Sequence, residues 1–426
     1  MTYILELLLI RYRGGTMYKE NSLIVSLDIG TYKTAVVVAE PTPEGIEVLG
    51  IGTALSQGGL RKGQIINVEA TIQVIRKAIE EAQLGASCEI HNVSAGITGG
   101  HVEGHSSRGM VVVKDREVSP DDVGSVIAVA RTVALPAECE VVHVVPQEFL
   151  VDGQDRGREP VGTSGLRLEA SVYLVTAATS ALESLTRCCE RAGLQVRSVH
   201  FTGFAAAEAV LTPEEKELGV ILLDIGGGTT GIVGFHHGAV MHTAVLPVGG
   251  YNITNDLAVG IRIPLAEAEK IKQRHGCALG DMITPGEMIE MPKIGGRDPS
   301  PVPRRKLSEI IEPRAEEIFT LVKEQFEDLG LAGKLNAGVV LTGGGAIMEG
   351  MIELAERVFR MPVRRGVPRF LGNTVDAANG PMYATGIGLI LRELQQYHSN
   401  GAVRGRDGHG WQRVRERVVE WFRDFF

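Results

Sequence analysis

Two stretches of this chain decide its fold, 25-VSLDIGTYKTAVVVAE-40 and 220-VILLDIGGGTTGIV-233. In each, an apolar run meets Asp-Ile-Gly, then a threonine, then a second apolar run. Short apolar runs stopped by glycine read as strands buried on both faces. Asp28 and Asp224 then stand at strand ends, and the glycines beyond them let main-chain N–H groups crowd against an anion. From Asp28 to Asp224 is 196 residues, a spacing that suggests two similar domains, each offering one turn to a shared cleft. An aspartate beside phosphate is repulsive unless a cation lies between them. Hydrated Mg²⁺, which binds through few carboxylates and keeps several waters, resolves the conflict. The pair is therefore predicted to clamp the phosphates of a nucleotide–Mg²⁺ complex. Asp28 and Asp224 would hold the metal through water, Thr31, Thr229 and Thr230 would supply hydroxyls, and Lys33 would counter phosphate charge.

Rival motifs fare worse. Gly226-x-Gly228-x-x-Gly231 fits the dinucleotide GxGxxG string, but it leads into a strand pattern, and the acid precedes it instead of following ~20 residues later. No GxxxxGK[ST] string occurs, so a P-loop is excluded. Glycines in either turn alone need mean no more than a tight turn. A third buried strand, 337–341, ends at Thr342 and Gly343, Gly344 and Gly345, and the three turns together favour a site.

Length and composition set the frame. At 426 residues the chain exceeds one ordinary core. Apolar residues at 44% and charged residues at 22% exclude a largely disordered chain. Lys+Arg 43 against Asp+Glu 52 gives a net charge of −9, which argues against whole-molecule nucleic-acid binding. The five cysteines show no CxxC spacing, so a reduced, intracellular compartment is expected. The apolar run 4–10 is broken by Glu6 and falls far short of the ~20 residues a membrane span needs. Residues 1–21, with a second methionine at Met17, read as a disordered extension or the product of an upstream start.

Along the chain, 69–84 has helical periodicity, and Ser119-Pro-Asp-Asp starts a helix with a capping serine and two acids at its positive end. Residues 94–176 look like a compact inserted α+β unit, with 152–165 an exposed loop. A helix over 181–192 should stop at Gly193, with one of Cys188 and Cys189 buried and the other half-buried. His236-His237 marks a hairpin turn, and His101 and His105 sit in a strand-like stretch unsuited to a metal. Residues 381–394 read as a helix and the Gly-rich 395–410 as a flexible linker. The chain closes with 411-WQRVRERVVEWFRDFF-426, which places Trp411, Val414, Val418, Trp421, Phe422 and Phe425 on one helical face, with Val419 and Phe426 flanking and four arginines supplying positive charge, partly offset by three acids. Sixteen residues make about 24 Å of helix, too short and too charged to cross a bilayer but suited to lie in an anionic lipid surface.

These motifs resemble the actin/Hsp70/sugar-kinase superfamily and, within it, the FtsA family of bacterial cell division proteins. Beyond the two phosphate turns, the resemblance rests on HVVPQEFLVDGQ, HTAVLPVGGYNITNDLAVG, PLAEAEKIK, KLSEIIEPR, VVLTGGGAIMEG and PMYATGIG, in that order along the chain, and covers roughly 22–426. It implies an actin-like two-lobed α/β ATPase fold of duplicated ribonuclease-H-like domains. Domain 1A would be 22–93, 177–216 and 367–394, and an SHS2-like domain 1C would be 94–176. Domain 2A would be 217–235 and 316–366, and domain 2B 236–315. It implies ATP and Mg²⁺ held by Asp28, Gly30, Thr31, Tyr32, Lys33, Asp224, Gly226, Gly227, Gly228, Thr229, Thr230, Gly343, Gly344 and Gly345, with Glu269 and Lys272 near sugar and base. The family partners are the chain itself in a filament, late division proteins through domain 1C, and the C-terminal peptide of the tubulin-like polymer FtsZ. Arg304, Arg305, Lys306 and Arg314 are the candidates for that peptide, and 411–426 is the membrane anchor. Two departures stand out. Relatives usually carry Glu-Pro-Leu-Ala where this chain has Thr202-Gly203-Phe204-Ala205, and an acid where it has Tyr251. No general base can be nominated, so at most weak ATPase activity is expected. A small-molecule kinase of the same superfold and a pilus-type membrane adaptor are the competing readings.

Overall fold

The computed structural model describes residues 10–13, 16–19, 23–42, 45–56, 58–132, 136–291, 300–369 and 376–401. The membrane-anchor reading of 411–426 and the linker reading of 402–410 lie outside these residues.

Two five-stranded sheets share one plan. In lobe I the order is Gly45–Leu55, Lys33–Thr42, Ile24–Ile29, Asn92–Ile97, Gln195–Phe201. In lobe II it is Ala239–Leu246, Thr230–His236, Val220–Ile225, Gly338–Thr342, Val363–Arg365. In both, the acid-bearing strand is central, two antiparallel strands lie on one side, and parallel strands lie on the other. A central strand covered on both faces must be apolar throughout, and Leu27, Val36, Val37, Leu222 and Leu223 are fully or almost fully buried.

Helices cover these sheets by amphipathic packing. Val68–Ala86, capped by Asn67 accepting from Ala70 N–H, buries Ile72, Ile75 and Ile79, each worth about 1.5–3 kcal/mol of transfer free energy. Thr179–Ala192 stops at Gly193, which is left-handed at φ +94°. Cys188 and Cys189 are both fully buried, where the sequence suggested one half-buried thiol, and Thr179–Ala192 packs against Val68–Ala86.

The inserted unit is a four-stranded antiparallel sheet, in the order Gln154–Asp155, Cys139–Val151, Arg167–Ala178, Glu103–Val112. Helix Pro120–Arg131 covers it, started by the reciprocal Ser119–Asp122 capping box. Val123, Val126, Phe149 and Leu168 form its own small core. It also touches both lobes: His143 Nε2 accepts from Phe201 N–H at 2.9 Å, and Tyr173 Oη accepts from Thr243 N–H at 2.8 Å.

Several boundaries differ from the sequence reading. Ile10–Arg13 and Thr16–Lys19 pair as antiparallel strands inside the supposed disordered extension. Asn92–Ile97 belongs to the lobe I sheet, so residues 94–97 are not part of the insert. Ala239–Leu246 extends the lobe II sheet, and Arg305–Asp328 is one helix across the expected 315/316 division, because Pro313 is accommodated without ending it. Ala384–Gly401 carries helix through the first seven residues of the supposed linker, and Gln395 Nε2 donates to Glu208 Oε1 at 3.0 Å. Within the supposed loop 152–165, Gln154–Asp155 joins the sheet edge and Val161 packs on the insert core.

Candidate functional site: an acidic cleft between two lobes

The two Asp-Ile-Gly turns have the same local geometry. Gly30 N–H donates to Lys33 O at 3.0 Å, and Gly226 N–H donates to Thr229 O at 2.9 Å. The turns then meet. A Cβ on Gly227 would lie 2.7 Å from Tyr32 Cβ, and one on Gly228 would lie 2.6 Å from Thr31 Oγ1, so only glycine allows this approach. Above the contact opens a cavity of about 560 Å³, lined by Asp28, Gly30, Thr31, Tyr32, Lys33, Asp224, Gly226, Gly227, Gly228, Thr229, Glu269, Lys272, Gly343, Gly344 and Gly345. Its size falls in the range of small-molecule sites.

The floor is electrostatically unsettled. Lys33 Nζ is buried 3.7 Å from the centre of the Tyr383 ring and has no hydrogen-bond partner. Burial pushes its ammonium down to about 8 against the attraction of Asp28 and Asp224. Burial pushes Asp28 up to about 6, opposed by Lys33. Asp224 is pushed up to about 6 by burial and then by repulsion from Asp28, offset by the hydrogen bond from Thr385 Oγ1 at 3.1 Å and by Lys33. A polyphosphate would satisfy the ammonium, and a divalent cation would relieve the two carboxylates. Two carboxylates, phosphate oxygens and water are a hard donor set of the kind Mg²⁺ takes, so these residues fit that ion. Among the described residues no group of three or more His, Cys, Asp or Glu could hold a metal on its own, His101 and His105 included.

Lobe II supplies the far wall. Gly343 has φ +83°, and a Cβ there would strike Asp224 Oδ1 and Ile225 O. The helix Leu265–His275 presents Glu269 and Lys272 together: Lys272 Nζ donates to Gly250 O at 2.9 Å, Thr254 Oγ1 at 2.7 Å and Glu269 Oε2 at 2.8 Å. Thr254 also donates to Glu269 Oε2. Burial lowers the Lys272 ammonium, and Glu269 partly restores it. Thr230 is a correction: it is fully buried and donates to Val248 O at 2.9 Å, a structural role instead of a cleft hydroxyl. Sequence reasoning missed Gln273, Thr385 and Tyr383. Gln273 was within reach, because it lies one turn beyond Glu269 on the same helix face.

The basic residues around the start of Arg305–Asp328 are divided. Arg304 is 13% exposed, donates to His275 O at 2.9 Å, and is paired with Glu287 and Glu349 at the rim of the cleft. Arg314 is held by Asp256 at 2.6 Å and by Glu317. Arg305, 3.6 Å from Asp281, and Lys306 are the exposed pair. Structure therefore separates two half-buried internal cations from two solvent-facing ones.

Duplicated lobes of one strand order, with an acidic glycine turn from each facing a cleft, define an actin-like fold. Solved structures agree at the level of fold. The PilM–PilN type IV pilus biogenesis complex aligns with TM-score 0.63 at 17% identity, covering 87% of this chain and 98% of that one. MreB5 of Spiroplasma citri bound to ADP aligns with TM-score 0.55 at 15% identity, covering 91% and 100%. The family profile "Cell division protein FtsA" matches residues 221–388, and "SHS2 domain inserted in FTSA" matches 99–176. Cell division protein FtsA of Pseudomonas aeruginosa is 44% identical over 96% of this chain and 99% of its own length. Those of Escherichia coli K12 and Bacillus subtilis 168 are 38% and 37% identical, over 95% and 91% of this chain and 96% and 86% of theirs. The chain belongs to the FtsA family of cell division proteins.

Proposed function

We propose that the chain is a nucleotide-dependent scaffold of cell division. It binds ATP·Mg²⁺ in the cleft and polymerises on the cytoplasmic side of the plasma membrane at the division site. There it tethers FtsZ filaments through their C-terminal peptide and recruits later division proteins through the insert. The observation that carries the nucleotide part is the cleft floor, where a buried ammonium without a hydrogen-bond partner faces two carboxylates of raised pKa. Bound Mg²⁺ would supply charge neutralisation at the phosphates. Residues 30–33 and 226–229 would cradle those phosphates with main-chain N–H groups, and Glu269 and Lys272 would take the sugar and base. Thr202 lines the cleft where relatives usually carry an acid, and Tyr251 is half exposed beside it, so no extra carboxylate activates water and turnover is slow.

Arg305 and Lys306 are the cations open to an acidic peptide, with Arg304 and Arg314 as neighbours that shape the surface. No helix among the described residues is long and apolar enough to cross a membrane. The aromatic face of 411–426 provides the anchor instead, weak singly and strong when a filament aligns many copies. Isothermal titration of the full chain with ATP and Mg²⁺, followed by pull-down on an immobilised FtsZ tail peptide, tests the reading. Saturable Mg²⁺-dependent binding and peptide capture support it, and their joint absence defeats it. Phosphorylation of small alcohols in a coupled ATP assay would instead favour the kinase reading. Failure of peptide capture with intact ATP binding would favour the pilus-type adaptor.

A further inference from the structure

Tyr32 does something that a phosphate-turn residue need not do. Its main chain is fixed in lobe I, where Tyr32 O accepts from Ser56 N–H at 2.9 Å. Its side chain crosses the cleft, and its hydroxyl accepts from Gln273 Nε2 of lobe II at 2.9 Å. Gln273 is itself held, because the same amide donates to Glu269 Oε1 at 2.8 Å. Gly227 lies against Tyr32 Cβ, so lobe II packs at the root of the side chain as well as at its hydroxyl, which reaches the helix Leu265–His275. Tyr32, Glu269 and Gln273 all line the cavity. Among the described residues the lobes also meet where Gly228 faces Thr31 and, toward the connecting segments, where Thr385 pairs with Asp224, Thr342 and Gly343 with Pro381, and Arg364 with Val210 O and Glu215.

We propose that Tyr32 and Gln273 form a clasp across the cleft mouth that slows escape of bound nucleotide. The inference rests on the nucleotide reading of the cleft. Tyr32 acts as a positioning residue: it ties the two lobes together and performs no bond-making. Glu269 joins the clasp to the sugar site, since its Oε1 holds Gln273 while its Oε2 is taken by Lys272 and Thr254. A sugar hydroxyl that donates to Glu269 therefore meets a carboxylate already oriented by the clasp, and closing the lobes orders the sugar contact at the same time.

The test is a stopped-flow chase. Full chain loaded with a fluorescent ATP analogue and MgCl₂ is mixed with excess unlabelled ATP, for wild type, Tyr32→Phe, Gln273→Leu and the double variant. Tyr32→Phe removes only the bond to Gln273 and is expected to raise the dissociation rate about fivefold, and Gln273→Leu, which also removes the bond to Glu269 Oε1, should raise it at least as much. The double variant should be no faster than Gln273→Leu alone, because Tyr32→Phe then removes a bond already lost. The association rate should hardly change, and Gln273→Asn, polar but too short to reach Tyr32, should behave like Gln273→Leu. A mere packing role would lower the thermal midpoint without this non-additive pattern in dissociation. Unchanged dissociation in the singles, or multiplied effects in the double, would overturn the clasp while leaving the nucleotide site standing. No binding of the analogue by wild type would remove the nucleotide site and the clasp with it.

Discussion

Replacing Asp224 by asparagine separates what the cleft costs the empty chain from what it provides to a bound nucleotide. Asp224 is pushed from 3.8 to about 6, with burial the largest cause. The unfolded chain releases this proton near the ordinary value and the folded chain holds it to higher pH. Stability therefore falls as pH rises through that window, and the full penalty stands above about pH 6. Such a displacement corresponds to about 3 kcal/mol. Asparagine removes the charge, and its side-chain carbonyl can still accept from Thr385 Oγ1. At pH 7.5 the empty variant should unfold a few degrees above wild type, at pH 4.5 the gap should shrink to about a third, and it should close only below about pH 3.8. Affinity for ATP·Mg²⁺ should fall at least about tenfold, the worth of one lost charge-assisted contact. Thermal unfolding at pH 4.5, 6 and 7.5 with titration calorimetry reads both. A variant less stable than wild type at pH 7.5, or one that binds ATP·Mg²⁺ as tightly, would refute the reasoning.

Three further outcomes follow from the same structure. Lys33 is pushed from 10.5 to about 8, so its buried charge weighs on the empty chain below pH 8 and is relieved as pH rises toward 10.5. Lys33→Met should abolish that rise in a pH series of unfolding midpoints and weaken ATP binding at least about tenfold. Gly343→Ala places a Cβ against Asp224 and Ile225 at φ +83°, and should destabilise lobe II by about 2 kcal/mol or more while blocking ATP, measured by denaturant unfolding and calorimetry. Deleting 411–426 should abolish co-sedimentation with anionic liposomes and leave ATP affinity unchanged, and equal sedimentation of the truncated chain would contradict the anchor.

The parts of the fold legible in the sequence were those written in consecutive residues. Asp28-Ile-Gly30 and Asp224-Ile-Gly226 announce a strand end and a close backbone approach by their order alone, and both turns carry the same hydrogen bond. Ser119 with Asp122, and Gly193 after Ala192, mark helix ends as chemistry requires. What the sequence hid depends on partners far along the chain. Asn92–Ile97 reads as apolar strand whichever sheet it joins, and only its pairing with Ile24–Ile29 assigns it to lobe I. The helix beyond Leu394 lacks apolar periodicity, yet Glu393 anchors the preceding turn by accepting from Ser94 at 2.6 Å and Ser198 at 2.9 Å. Arg304 and Arg314 are basic in any reading, and only their packing shows carboxylates already paired to them. The unpartnered state of Lys33 is likewise a tertiary fact, set by the Tyr383 ring more than three hundred residues away.

The most direct measurement is a crystal structure of the chain with a slowly hydrolysed ATP analogue and Mg²⁺. The account predicts phosphates between residues 30–33 and 226–229, Lys33 Nζ within hydrogen-bond reach of a phosphate oxygen, and Mg²⁺ joined to Asp28 and Asp224 through water. Phosphates seated away from both turns, with Lys33 still stacked unpartnered on Tyr383, would contradict it.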